Sequence, residues 1–218
     1  MLDKVNKIVK YMVLSDLLLF VGWGFISPIF SIFVLEKIEG ATLLTVGISS
    51  AVYWVARAVV QPFIAQRLDN QKGEKDDYFV LLASLVCTGL AAFWIATIRQ
   101  EGMLYIAQLF HGASLGVYSV AWPAIFTRHM DKGKIAFDWS LDRGSIGLAV
   151  AAASIAGAQV AELMGFEMVF ILAGIGSIAS AFILMVIPQL IFPKSSGEVG
   201  IKDIRVNRKH KNRNTIGI

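Results

Sequence analysis

Apolar residues run along the chain in six long stretches, at roughly residues 10–35, 41–66, 77–98, 103–128, 135–162 and 166–190, with short polar breaks between them. Each stretch is long enough to cross a hydrocarbon core of about 30 Å as a helix, some of them with tilt. The breaks are turns: "EKIEG" follows the first stretch, "RQEG" the third and "ELMGFE" the fifth. Links this short force neighbouring helices to run antiparallel. The pattern predicts an all-α membrane protein with six transmembrane helices within residues 1–192 and a flexible polar tail over 193–218.

Composition agrees. The chain is 56% hydrophobic and 17% charged, whereas about a quarter of a soluble domain is charged. Cys87, the single cysteine, lies inside an apolar stretch, so no disulfide framework is possible. Lys4, Lys7 and Lys10 precede the first stretch as they would a signal peptide. That stretch exceeds a signal's apolar region and no small-residue cleavage site follows it, so it reads as a retained first helix.

Charge then sets the orientation. Alternating helices place Lys4, Lys7, Lys10, Arg67, Lys72, Lys75, Arg128, Lys132, Lys134 and the seven basic residues from Lys194 to Arg213 on one side, and only Lys37 and Arg99 on the other. The basic side is the cytoplasmic one, so both termini are expected in the cytoplasm of a cell-membrane protein. The tail, "RVNRKHKNRN" at its core, suits anionic lipid rather than nucleic acid.

Ionisable residues inside apolar helices are expensive, and each is a functional hypothesis. Here they are Asp16, Arg57, His111, Asp138, Asp142 and Arg143. Asp16 and Asp138 stand close enough to helix ends to be half-solvated instead. His111 is either a hydrogen-bonded structural group or a proton carrier. Arg57 lies roughly 14 Å above Gln66 at 1.5 Å per residue, and needs a partner or an anion. Tyr53, Trp54, Tyr118 and Trp122 either line a cavity or serve as packing and interface anchors. Gly112 with Gly116, and Gly174 with Ser177 and Ser180, permit close helix packing. The first and fourth helices share a pattern, "GWGFISPIF" and "GVYSVAWPAIF", as two three-helix repeats of inverted topology would. Zinc-ligand spacing, a nucleophile elbow and a phosphate loop are all missing from the sequence, so neither an enzyme nor a metal or cofactor is expected.

The loop after the second helix carries a family signature. Pro62, Ala65, Asp69 and Lys75 fall on or close to a pattern of Gly-x-x-x-Asp-Arg/Lys-x-Gly-Arg/Lys preceded by Pro, in which Ala65 replaces the first Gly, Asn70 the basic residue, and Gly73 comes one position late. This resembles the major facilitator superfamily of transporters. "GWGFISPIFSIFVLEKIEGATLLTVGISSAVYW" looks like that family's first two helices. "IAQLFHGASLGVYSVAWPAIF" is similar to its fourth, with Gln108, His111 and Gly112 where Arg-x-x-Gln-Gly is usual. "GLAVAAASIAGAQVAELMGFEMVFILAG" resembles the fifth and the start of the sixth, without the antiporter-type Pro near Ser154. The match covers residues 10–190, one six-helix half of a fold that usually has two.

The resemblance implies a 3+3 inverted-repeat bundle that moves a small solute by alternating access. A mid-membrane site needs two bundles that rock against each other, so the second wall is expected to be a parallel copy of the same chain. The alternatives are a non-transporting subunit or scaffold, or a truncated half that needs a separately encoded second half. Proton coupling is left open. Asp69 is expected to latch the cytoplasmic side, near Arg128 in its own chain and against the start of helix five of the other half, while Glu74–Asp77 read as solvated surface. Gln108 and His111 join Asp16, Trp54, Arg57, Trp122, Asp138, Asp142 and Arg143 as cavity or gate candidates. Arg57 is expected to pair across a dimer with Asp142, or else Arg57 or Arg143 pairs with Asp16 inside one chain.

Overall fold

The computed structural model describes residues 6–70, 75–130 and 133–186. The tail over 193–218, and Lys4, Lys72, Gly73, Glu74 and Lys132, lie outside them. The described residues are almost wholly helical: α1 Lys7–Ile26, α2 Phe30–Lys37, α3 Leu43–Asp69, α4 Lys75–Thr97, α5 Glu101–His129, α6 Ile135–Met164 and α7 Phe166–Met185. Six of them, all but α2, are long and apolar enough to cross a membrane, as the hydropathy pattern predicts.

The first stretch is not one helix. It breaks at Ser27–Ile29 and resumes as α2. Pro28 has no N–H to give to the carbonyl of Gly24, one turn earlier. The Ser154 hydroxyl of α6 lies 3.3 Å from the Gly24 oxygen and shares its one hydrogen between that oxygen and the Val150 carbonyl of its own helix, 2.9 Å away. Pro62 and Pro123 sit inside α3 and α5 without ending them.

Asn6 caps α1 by accepting from the Ile8 N–H at 3.1 Å, and Thr42 and Thr45 form a reciprocal capping box at the start of α3. Gly165, at φ 88°, closes α6 and turns the chain directly into α7, a conformation that favours a residue without Cβ.

Helix α1 packs on α6 and α7, α5 on α3 and α4, and α4 on α7. Glycines let the backbones touch. A Cβ at Gly116 would stand 2.8 Å from the Arg57 carbonyl oxygen, one at Gly112 would overlap the Tyr53 backbone, and one at Gly157 the Phe25 backbone. Two apolar cores result. One, at the base of the bundle where α1 begins, is built on Met12, Leu81, Leu85, Trp122 and Phe126. The other, at the opposite end or crown, is built on Phe33, Ile95, Leu104 and Phe170.

Burial is uneven. The central windows of α3 and α6 are only 17% and 11% buried, against 44–56% in the other four spans. Two spans are therefore left largely uncovered by the chain itself.

Candidate functional site

A cavity of about 320 Å³ opens where the first span breaks. Ile26, Ser27 and Phe30 bound it at the break, Tyr53 and Trp54 come from α3, and Gln108 and His111 from α5. Its centre is aromatic. The His111 ring stacks on Trp23 at 3.8 Å between centroids and leans on Tyr53 at 4.9 Å. Trp23 is held in turn by its indole N–H, which donates to Ser177 Oγ at 3.2 Å. His111 Nδ1 lies 3.4 Å from Gln108 Oε1, and its buried Nε2 has no hydrogen-bond partner among the described residues. A small concave site with aromatic walls and a few placed polar atoms is the usual form of a small-molecule pocket.

Arg57 flanks this cavity rather than lining it. It donates to the Tyr53 hydroxyl at 3.0 Å and lies 5.3 Å over the Trp54 ring. It makes no ion pair among the described residues. Trp54 and Tyr53 thus bound the cavity, as one of the two sequence readings has it, whereas Trp122 and Tyr118 do not. Trp122 is a core residue, stacked on Phe126 at 4.5 Å and set edge-on to Trp139.

A second group gathers nearer the base. The Tyr118 hydroxyl donates to Asp16 Oδ1, and the Asp142 carboxyl faces Asp16 from α6. Asp16 is 1% exposed and Asp142 fully buried, so Asp16 is not the half-solvated group its place near a helix end allowed. Arg143 Nε stands 3.4 Å from Asp142 Oδ2, and its guanidinium lies 5.4 Å over Trp139. Asp138, one turn nearer the base, is also fully buried. Within the chain Arg143, not Arg57, stands beside these carboxylates, and its ion pair is with Asp142, its neighbour on α6.

Within the chain, Arg128 has another partner than the one expected of it. Arg128 pairs with Asp77, not with Asp69. Asp77 is fully buried although the charged loop around it reads as surface, while Asp69 is exposed and holds no side-chain partner among the described residues. Asp76 does point outward. The bond ties the first turn of α4 to the last turn of α5.

Trp23, Ser27, Asp77 and Ser154 carry the local structure, and none stood out in the sequence. Only Pro28 was a signal, since a proline in a span marks a place where backbone groups need other partners.

Residues 12–212, most of the chain, match the family model described as the Major Facilitator Superfamily, and the chain belongs to that superfamily. It is a multi-pass membrane protein of the transporter type. No curated protein matches it significantly.

Proposed function

We propose that this member of the Major Facilitator Superfamily moves a small solute across the cell membrane by alternating access, as a parallel homodimer of six-helix bundles with both termini in the cytoplasm. The cavity at the break of the first span is the solute site. Trp23, Tyr53, Trp54, Gln108 and His111 contact the solute, and Arg57, with no carboxylate of its own, stands beside it to receive an anionic group.

One observation carries the dimer: Arg143 leaves 56% of its side chain exposed, roughly 12 Å along α6 from its start. A guanidinium facing lipid costs about 2.5–3.5 kcal/mol at the centre of a span on insertion scales, and part of that at the depth of Arg143. A second bundle, or the aqueous cleft between two bundles, removes that cost, and it would cover the two exposed spans α3 and α6. The pairing of the helices supports the 3+3 repeat. Exchanging spans one and four, two and five, and three and six turns the pair α1 with α6 into α5 with α3, α1 with α7 into α5 with α4, and leaves α4 with α7 as it is; only the smaller contact of α6 with α7 has no counterpart among the main packed pairs.

Mass measurement in lipid nanodiscs tests this reading. A mass of two chains per particle is expected across a range of protein-to-lipid ratios. A persistent single chain would point to the second reading, a half that needs a different partner, which the same exposed Arg143 would also serve.

A further inference from the structure

We infer that Asp16 and Asp142 share one exchangeable proton, forming a proton site on α1 and α6 one helical turn from the solute cavity. The inference deepens the transporter reading by naming where a coupling proton would bind.

Asp16 lies roughly 14 Å along α1, Asp142 roughly 10 Å along α6, and Tyr118 roughly 16 Å before the end of α5, all counted from the base. Three helices thus bring these side chains to one depth inside the apolar slab. The Tyr118 hydroxyl has a single hydrogen, and it is given to Asp16. Among the described residues neither oxygen of Asp142 has a hydrogen-bond donor, although its carboxyl lies within hydrogen-bonding reach of Asp16. Two ionised carboxylates are both pure acceptors and cannot bond to each other. A proton between them supplies the missing donor.

Charge counting gives the same answer. The groups facing the pair are Tyr118 from α5 and Arg143 from α6. From α7 the neighbour is the neutral Ser180, bonded to Ser15 at 2.7 Å, and α7 carries no charged residue after Glu167. On α1 the nearest charged residue is Lys10, exposed and six positions away. Asp138, one turn towards the base, is fully buried and is not without a partner. Two carboxylates against one guanidinium leave an excess negative charge in a medium that tolerates little of it. One proton brings the group to neutrality.

The link to the cavity is short. Phe20, one turn along α1 from Asp16, bounds the cavity and packs edge-on against Tyr118, 6.5 Å between centroids. Release of the proton to water leaves two like charges face to face on α1 and α6. Their repulsion separates these helices near the base, below the break at Ser27–Ile29. A solute that alters the Trp23 and Phe20 packing therefore acts on the proton, and the proton on the solute site, by equal amounts.

Infrared difference spectra of the full chain in nanodiscs, titrated with alkali in choline buffer, test this directly. The wild type is expected to show a protonated-carboxyl band that disappears as the pH is raised. Asp16→Asn and Asp142→Asn should each abolish it, because the remaining carboxylate and Arg143 already balance. Arg143→Gln should increase it about two-fold, since two protons then neutralise the pair. The site is refuted by no such band in the wild type, by a band that survives both Asn variants (another buried carboxyl, such as Asp77 or Asp138), or by an unchanged band in Arg143→Gln. A band displaced by sodium at constant pH would mean a metal-cation site and would equally overturn it. The spectrum registers protonation without transport: a dimeric transporter lacking the band defeats this site alone, and a band in a persistent monomer defeats the dimeric reading alone.

Discussion

The Arg128 guanidinium closes on the carboxylate of Asp77, a residue with no exposed surface, and so clamps the first turn of α4 to the last turn of α5 at the base of the bundle. Removing one member of such a contact strands a buried charge, at a cost of about 1–3 kcal/mol or more. Arg128→Ala should therefore lower the thermal midpoint in detergent clearly. Asp69→Asn, eight positions before Asp77 and exposed, should move stability by no more than about 0.5 kcal/mol. Equal melting of the two variants would contradict the clamp.

Gly116 of α5 and Gly144 of α6 should behave oppositely. Gly116 meets the Arg57 carbonyl, so Gly116→Leu must push α3 off α5, at about 1–3 kcal/mol. A Cβ at Gly144 meets nothing within 4 Å. Gly144→Trp should leave the bundle's own stability nearly unchanged and still reduce association of copies, read as a shift to single-chain mass in nanodiscs.

Ser154 shares its one hydroxyl hydrogen between Gly24, at the break in the first span, and Val150 of its own helix, 2.9 Å away. Ser154→Ala should cost about 0.5–1.5 kcal/mol. Ser140→Ala, which removes only a bond to Ala136 within α6, is the control and should cost less. Thermal unfolding of both in one detergent settles the comparison.

The turns at the crown should not matter to transport. Glu39 lies beside Arg99 and Gln100 through backbone contacts, and Glu101 accepts from Thr45 Oγ1 at 2.6 Å. Glu39→Gln and Glu101→Gln keep the side-chain shape, and Gln retains an acceptor for Thr45. Solute uptake into proteoliposomes should stay at the wild-type rate. A large loss would place the solute site at the crown instead of at the break.

What was legible in the sequence follows from what hydropathy encodes. Six spans were readable because each must bury or offer a long apolar surface, and only Pro28 concealed a break. Proline alone does not decide the matter, since Pro62 and Pro123 are tolerated inside helices. The break at Pro28 has its replacement donor on α6, 126 positions away from Pro28 by the numbering of Ser154. Asp16, His111 and Asp142 were visible as polar residues in apolar runs. Asp77 was not, because it begins a helix beside a charged loop and its burial depends on α5 lying against it. Trp23 was hidden for the opposite reason: an aromatic among apolar residues looks like packing until its neighbours are known.

The central claim, a solute carrier whose second wall is another copy of itself, is tested most directly by cross-linking between chains. In a Cys87→Ala background, Val55→Cys on α3 and Leu148→Cys on α6 place exposed thiols at similar heights above the base, on spans that do not pack together within one chain. Two differently tagged chains, one with each cysteine, are co-expressed and oxidised in the membrane. The account predicts a mixed dimer linking Val55→Cys to Leu148→Cys that exceeds either like-with-like product. No cross-linked product, or Val55→Cys joined only to itself, would contradict it.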